Sequence, residues 1–337
     1  YRWLPGFRLL SETGYAFFAR HRGLLAFLTH RLWGRDCEPS AWRATSWLFL
    51  RLLGLIYLGA FVPFGTQVTG LIGSDGIVPV TTYLSALQEH FGTRAWRLAP
   101  MVFWFNATDP VLIGACIAGA LLALLVVFNV FTTAALLLSF VLYLSLVYAG
   151  QVFMTYQWDM LLLEAGMLAI FLRGGSTITV WLYRWLAFRF MFLGGMVKII
   201  SGDRTWDNLT ALNYHFETQP LPTIAAWYAH NLPEPVHMGL TAATLITELL
   251  IPFLIFAPRR PRMFAAWCFI LLQSAILLTG NYNFFNLLTL CICLFLFDDA
   301  ALRGLLPRRL AGRFQADESA PPGRVAGALT WVFAAVV

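Results

Sequence analysis

Residues 111–150 read VLIGACIAGALLALLVVFNVFTTAALLLSFVLYLSLVYAG. Two apolar windows, 111–128 and 132–150, flank a short break at 129–131. A helix rises about 1.5 Å per residue and the hydrocarbon core is about 30 Å thick, so roughly 20 apolar residues cross it. Each window has about that length. The pair predicts two consecutive transmembrane helices joined by a tight turn.

The rest of the chain agrees. It has 337 residues, 59% hydrophobic and only 12% charged, with a mean hydropathy of +0.69. Ordinary soluble domains carry about 25% charged residues. Too little polar surface is available to cover a water-soluble two-domain protein, and the apolar and aromatic content excludes disorder. Further apolar windows fall at 47–65, 157–172, 180–200, 238–257, 263–280 and 284–297, with another beginning near 325. The expected fold is all-α: a polytopic transmembrane bundle of about eight or nine spans.

Basic residues orient this bundle. The net charge of +6 comes from 22 Arg and one Lys, Lys198. Most of them lie before 47, at 259–262 and after 303. This distribution points to topology rather than nucleic-acid binding, and it places the N-terminus in the cytoplasm. The expected organisation is an Arg-rich cytoplasmic segment at 1–46, amphipathic around 15–32, and a bundle at 47–299. A basic linker at 300–324 and the start of a further span at 325–337 follow. Two long segments, 66–110 and 201–237, then face outward and fold over the outer mouth. Sequons at Asn106 and Asn208 lie on that side.

The chain lacks a P-loop, an H-E-x-x-H run, a G-x-S-x-G elbow and an EF-hand loop, which removes those chemistries. No internal repeat supports a secondary transporter. Cys291 and Cys293 are two apart, on different faces of a helix, so they read as packing rather than as a dithiol. The scattered outer histidines do not make a metal site.

Ionisable groups at membrane depth are functional candidates by default. Glu164, Arg189 and Glu248 fall at one depth and predict a buried cluster in which Arg189 is neutralised by Glu164 with Glu248 sharing. This is either a helix clamp, the polar base of a cavity or a proton relay. Lys198 lies at the outer end of its span, with Gly194 and Gly195 below it and Asp203, Asp207, His215 and Glu217 beyond. It reads as an anchor paired with Asp203, or as a general base. In an extended run, Asn213, His215, Glu217 and Gln219 share one face. They form a structural lid, a metal half-site or, with Lys198, a catalytic set of Lys198, His215 and Glu217. Asn281, Asn283 and Asn286, with Asp159, are either helix-terminal caps, Asn283 capping the last span, or the lining of a ligand pocket.

Five strings carry a resemblance: LIGSDGIVP (71–79), QWDMLLLEAGMLAIFL (157–172), MVKIISGDRTWDNLTALNYHFETQPLP (196–222), AWYAHNLP (226–233) and TGNYNFFNLL (279–288). In this order they resemble the lipase maturation factor family over roughly 47–299. The resemblance implies an integral membrane protein, of the ER in animals or of the bacterial inner membrane, that assists folding of secreted lipases or other exported clients. It also implies a soluble region beyond Val337. The segment around Lys198 is remotely similar to the vitamin K-dependent γ-glutamyl carboxylase superfamily. That likeness implies an alternative: an enzyme with a lipid-soluble, quinone-like cofactor, Lys198 as base, and Gly195, Asp203 and Trp206 beside it. The paired lysine of that superfamily is absent, since Ile199 follows Lys198.

Overall fold

The computed structural model describes residues 7–34, 40–172 and 174–305. All regular structure among them is helical. The expected linker beyond 305 and the span near 325 lie outside the described residues.

Two short helices, α1 (Phe7–Arg20) and α2 (Arg22–Leu32), precede the bundle. The first long helix, α3 (Arg43–Ile72), runs 30 residues, well past the expected 47–65 on both sides. Pro63 lies inside it, and the bundle packs around it.

The outward segment expected at 66–110 is partly ordered as α4 (Val80–Phe91) and α5 (Ala95–Leu98). Between α3 and α4, Ser74 donates from its N–H and its Oγ to Asp109, at 2.8 and 2.9 Å. Asp109 opens α6 (Asp109–Val127) and is followed by Pro110, a residue suited to the first turn. After Asn129 and Phe131, both at positive φ, the chain reverses into α7 (Thr132–Gly150). The quoted stretch is therefore the helical hairpin its windows predict.

Next come α8 (Gln157–Ile170) and α9 (Thr177–Ile200). The second segment expected to face outward, 201–237, holds α10 (Arg204–Asp207), α11 (Ala211–Thr218) and α12 (Ile224–His230), and the start of α13 (Glu234–Leu249). The remainder is α14 (Arg259–Thr279), α15 (Phe285–Cys293) and α16 (Asp299–Leu305).

Among the described residues, four helical segments are long and apolar enough to cross a membrane: Arg43–Ile72, Asp109–Val127, Thr132–Phe153 and Arg259–Thr279. Their outer faces expose Leu55, Ile117, Leu121, Leu138 and Leu271, while their inner faces bury Phe61, Leu112, Leu136 and Phe269. A helix apolar on both faces suits lipid rather than water. The protein is an integral membrane protein. The other expected spans are shorter or more charged: α8 has 14 residues, and α9 carries Arg184, Arg189 and Lys198.

The core is aromatic. Tyr183 stacks on Phe295 at 4.4 Å and meets Phe49 edge-on at 4.8 Å, while its hydroxyl donates to the Ala165 carbonyl at 2.6 Å. Helices α3 and α6 approach closely because Gly119 carries no side chain: a Cβ there would enter the ring of Phe61.

The Arg-rich end of the bundle is latched by two acids that the sequence reading passed over. Asp299 accepts from the N–H groups of Arg43, Ala44 and Thr45 and from the Thr45 hydroxyl, so it caps α3 from 254 residues away. Asp298 grips Arg259 through Nε and Nη2 at 2.5 and 2.9 Å. Burial alone would raise the Asp298 carboxyl. The Arg259 bonds, the Ala301 N–H and the Arg262 charge outweigh it and hold the group below its usual range.

Candidate functional site

The C-terminal end of α9 meets α10 and α13, while α11 packs on α13 and α12 on α14. At the contact, a Cβ on Gly195 would lie 2.9 Å from the Cβ of Glu248. Glycine thus lets α13 come in close and sets Glu248 beside Lys198, the next residue to face that side. The ammonium donates to Glu248 at 2.6 Å and to the Gly194 carbonyl at 3.2 Å. Its Nζ also lies 5.3 Å from the centroid of the Trp206 ring, within cation–π range.

This corrects two expectations. Lys198 does not pair with Asp203, whose carboxylate accepts from the N–H and hydroxyl of Thr205 and caps α10 instead. Those bonds hold Asp203 below its ordinary range. Nor does Glu248 share the charge of Arg189. Arg189 pairs with Glu164 as expected, but the third acid belongs to Lys198. Depth counted along single helices missed this, because partner choice follows from where Gly195 permits contact.

The stretch 213–219 is not extended. Residues 211–218 form α11, which ends just before Pro220 and Pro222, where proline disfavours helix in the preceding residue. In a helix, alternate residues turn to different sides. The expected polar stripe is therefore dispersed. Asn213 bonds His237 Nδ1 at 3.0 Å, and that imidazole's Nε2 donates to the Ala229 carbonyl at 2.8 Å. Glu217 lies 3.7 Å from His230 on the exposed side. His215 stays within electrostatic reach of Lys198; burial first, and then that charge, push its imidazole below the usual range. Gln219 turns inward, donating to the Thr279 carbonyl at 2.9 Å and accepting from the Tyr282 hydroxyl at 3.1 Å. Lys198 bonds Glu248 and Gly194, and Glu217 faces His230, so the three residues do not form one hydrogen-bonded set. Nothing in the sequence pattern marked His237, the residue that ties α11, α12 and α13 together.

The proposed pocket lining also separates. Asp159 is buried and accepts from the Tyr143 hydroxyl at 2.6 Å. Asn286 is buried and donates to Gln273 at 2.7 Å. Asn281 and Asn283 are exposed. Asn283 is not the cap of α15: the preceding position is Phe284, with no side-chain cap, and Asn283 adopts φ 56° in the turn before it. Asparagine tolerates that left-handed conformation. No group of three or more metal-ligating side chains occurs among the described residues.

The arrangement is a set of polar joints. They hold α10–α12 down on α9, α13 and α14, while the outward faces of those short helices carry exposed aromatic and aliphatic residues.

The lipase maturation factor transmembrane domain model matches residues 44–304, from the start of α3 to within α16. Lipase maturation factor 2 of Xenopus laevis is 42% identical over 272 residues, 74% of this chain and 38% of its own length. The human lipase maturation factor 2 is 40% identical over 283 residues, 76% of this chain and 40% of its own. Lipase maturation factor 1 of Bos taurus is 37% identical over 305 residues, 81% of this chain and 54% of its own. The chain thus spans about four-tenths to half the length of these relatives. No solved structure matches it significantly. The remote likeness to the γ-glutamyl carboxylase superfamily finds no support in these relatives. A match over the whole bundle, joined to identities near 40%, assigns the chain: it belongs to the lipase maturation factor family.

Proposed function

We propose that this chain is the membrane portion of a maturation factor that assists the folding of a secreted lipase or another exported client. The observation that carries the proposal is the family match over 44–304, which includes the bundle and the helices laid over its outer end. Clients are met at 66–110 and 201–237. There Phe105 (84% exposed), Ile224 (82%), Trp227 and Tyr228 present apolar surface beyond the long helices, and such surface suits contact with an incompletely folded chain.

In this reading the N-terminus is cytoplasmic, the two segments face the ER lumen or periplasm, and the shorter helices α8, α13 and α15, with the more charged α9, complete an eight-span bundle. Lys198, Glu248 and His215 position the overlying helices. The test is to replace 203–231 by a flexible linker in the full-length protein and assay secreted lipase activity and client co-purification. Loss of both, at normal expression, is the expected result; unchanged lipase output overturns the proposal. Glycosylation at Asn106 and Asn208 in a eukaryotic host reports the side of the membrane independently.

A further inference from the structure

At the opposite, Arg-rich end, α1 and α2 have no place in the core. No residue of α2 is buried, and Tyr15 (78% exposed), Phe17, Phe18, Leu24, Phe27 and Leu28 project outward. Leu24, Phe27 and Leu28 follow the i, i+3, i+4 spacing of a single face, which Arg31 extends by one further turn. Between residues 11 and 34 the only acid is Glu12, against Arg20, Arg22 and Arg31. An apolar face edged with arginine suits a helix lying in the plane of a bilayer surface.

The attachment of α2 to the bundle makes a more specific feature. The Arg260 guanidinium lies against Gly34, just past the end of α2; a Cβ there would sit 3.4 Å from its Nε. His30 Nδ1 donates to the Gly34 carbonyl at 3.3 Å. Behind this contact is a cavity of about 290 Å³ lined by Phe27, His30, Arg31 and Arg260. Arg260 is the second residue of a membrane-crossing helix, so the cavity lies at headgroup level. Its neighbours Arg259 and Arg262 are engaged by Asp298. No carboxylate among the described residues pairs with Arg31 or Arg260. Two guanidinium groups and an imidazole around one cavity, with an aromatic ring as its apolar wall, match a phosphate that carries acyl chains.

We propose that this cavity seats the phosphate of an anionic phospholipid headgroup, and that α1 and α2 lie in the plane of the bilayer around it. Zwitterionic lipid brings a choline or ethanolamine cation into a basic site and is disfavoured there.

The experiment uses the purified chain in two arms. In the first, native mass spectrometry counts lipids retained from phosphatidylglycerol and from phosphatidylcholine. The wild type retains phosphatidylglycerol preferentially. Arg31→Gln and Arg260→Gln each weaken that retention about five-fold, as expected for one arginine at an anionic surface. Arg97→Gln and Arg204→Gln, at the other end, leave it unchanged. Equal retention of both lipids by the wild type, or full retention by the Arg31→Gln/Arg260→Gln double variant, overturns the proposal. In the second arm, hydrogen exchange of 22–32 is followed in nanodiscs with and without phosphatidylglycerol, using wild-type protein only. Slower exchange with the anionic lipid is expected; identical exchange overturns the proposal even where the variants fail to fold.

Discussion

At the scale of single residues, the Lys198–Glu248 pair is the most consequential contact where α9 meets α13. Both side chains are largely sheltered, at 24% and 10% exposure. Removing one partner of such a pair leaves a charge without its counter-ion. Glu248→Ala should cost about 2 kcal/mol, a buried-pair loss reduced for partial exposure. A double-mutant cycle with Lys198→Met should recover most of that as coupling energy. Thermal unfolding in detergent measures it, and additive single effects would mean the pair does not hold the helices. Lys198→Arg also separates a positional role from a base: an arginine keeps the charge but cannot serve as base at ordinary pH. Retained lipase output with Lys198→Arg and normal expression is expected for the maturation role.

His215 makes a pH prediction. Burial and the Lys198 charge lower its folded value, so the folded state favours neutral imidazole. Its contribution is fully present above the unfolded value, about 6.5, and is lost as pH falls through that value toward the lower folded one. His215→Gln should flatten the acid limb of a Tm-against-pH profile. The exposed Glu217–His230 contact should matter little: Glu217→Gln is expected to stay within about 0.5 kcal/mol of wild type.

At the scale of elements, two joints decide how helices meet. Gly195→Ala puts a methyl group against Glu248 and Leu249. It should push α13 from α9 and cost about 1–3 kcal/mol, a typical overpacking penalty. Loss of protection in α10–α12 by hydrogen exchange would accompany it, since those helices rest on this contact. At the other end, Asp299→Ala removes an acceptor shared by three α3 N–H groups. The expected loss is about 2 kcal/mol, at the upper end of cap removals, with fraying at Arg43–Ser46. Unchanged exchange there would show that α3 is capped by other means. The long apolar helices were legible from their windows, but their ends and the short helices at 80–98 and 204–230 were not. The N-terminal turn of α3 is capped by Asp299 and 211–218 packs on α13, contacts that no local window contains.

At the scale of the whole molecule, the two ends have different work. The end opposite the arginines carries helices pinned by Lys198, His237 and Gln219, with apolar residues exposed. The Arg-rich end is closed by Asp298 and Asp299 and flanked by α1 and α2. Replacing 203–231 should therefore abolish client maturation while leaving the latch at Asp298, and the bulk of Tm, in place. A collapse of the whole bundle on that deletion would mean that the overlying helices are part of the core.

The amino-acid sequence by itself determined that this is an all-helical membrane protein, where its first hairpin runs, and to which family it belongs. Length of apolar run and ordered motif strings are properties of the chain alone, because the bilayer imposes one thickness on every span. Only the tertiary structure decided which charges meet. Glu248 reached Lys198 instead of Arg189, the 213–219 stripe wound into a helix and scattered its polar groups, and Asp298 and Asp299 became the latch of the opposite end. The first is settled by how closely Gly195 lets α9 and α13 approach, and the latch by partners 39 to 256 residues away in sequence, which no local window contains.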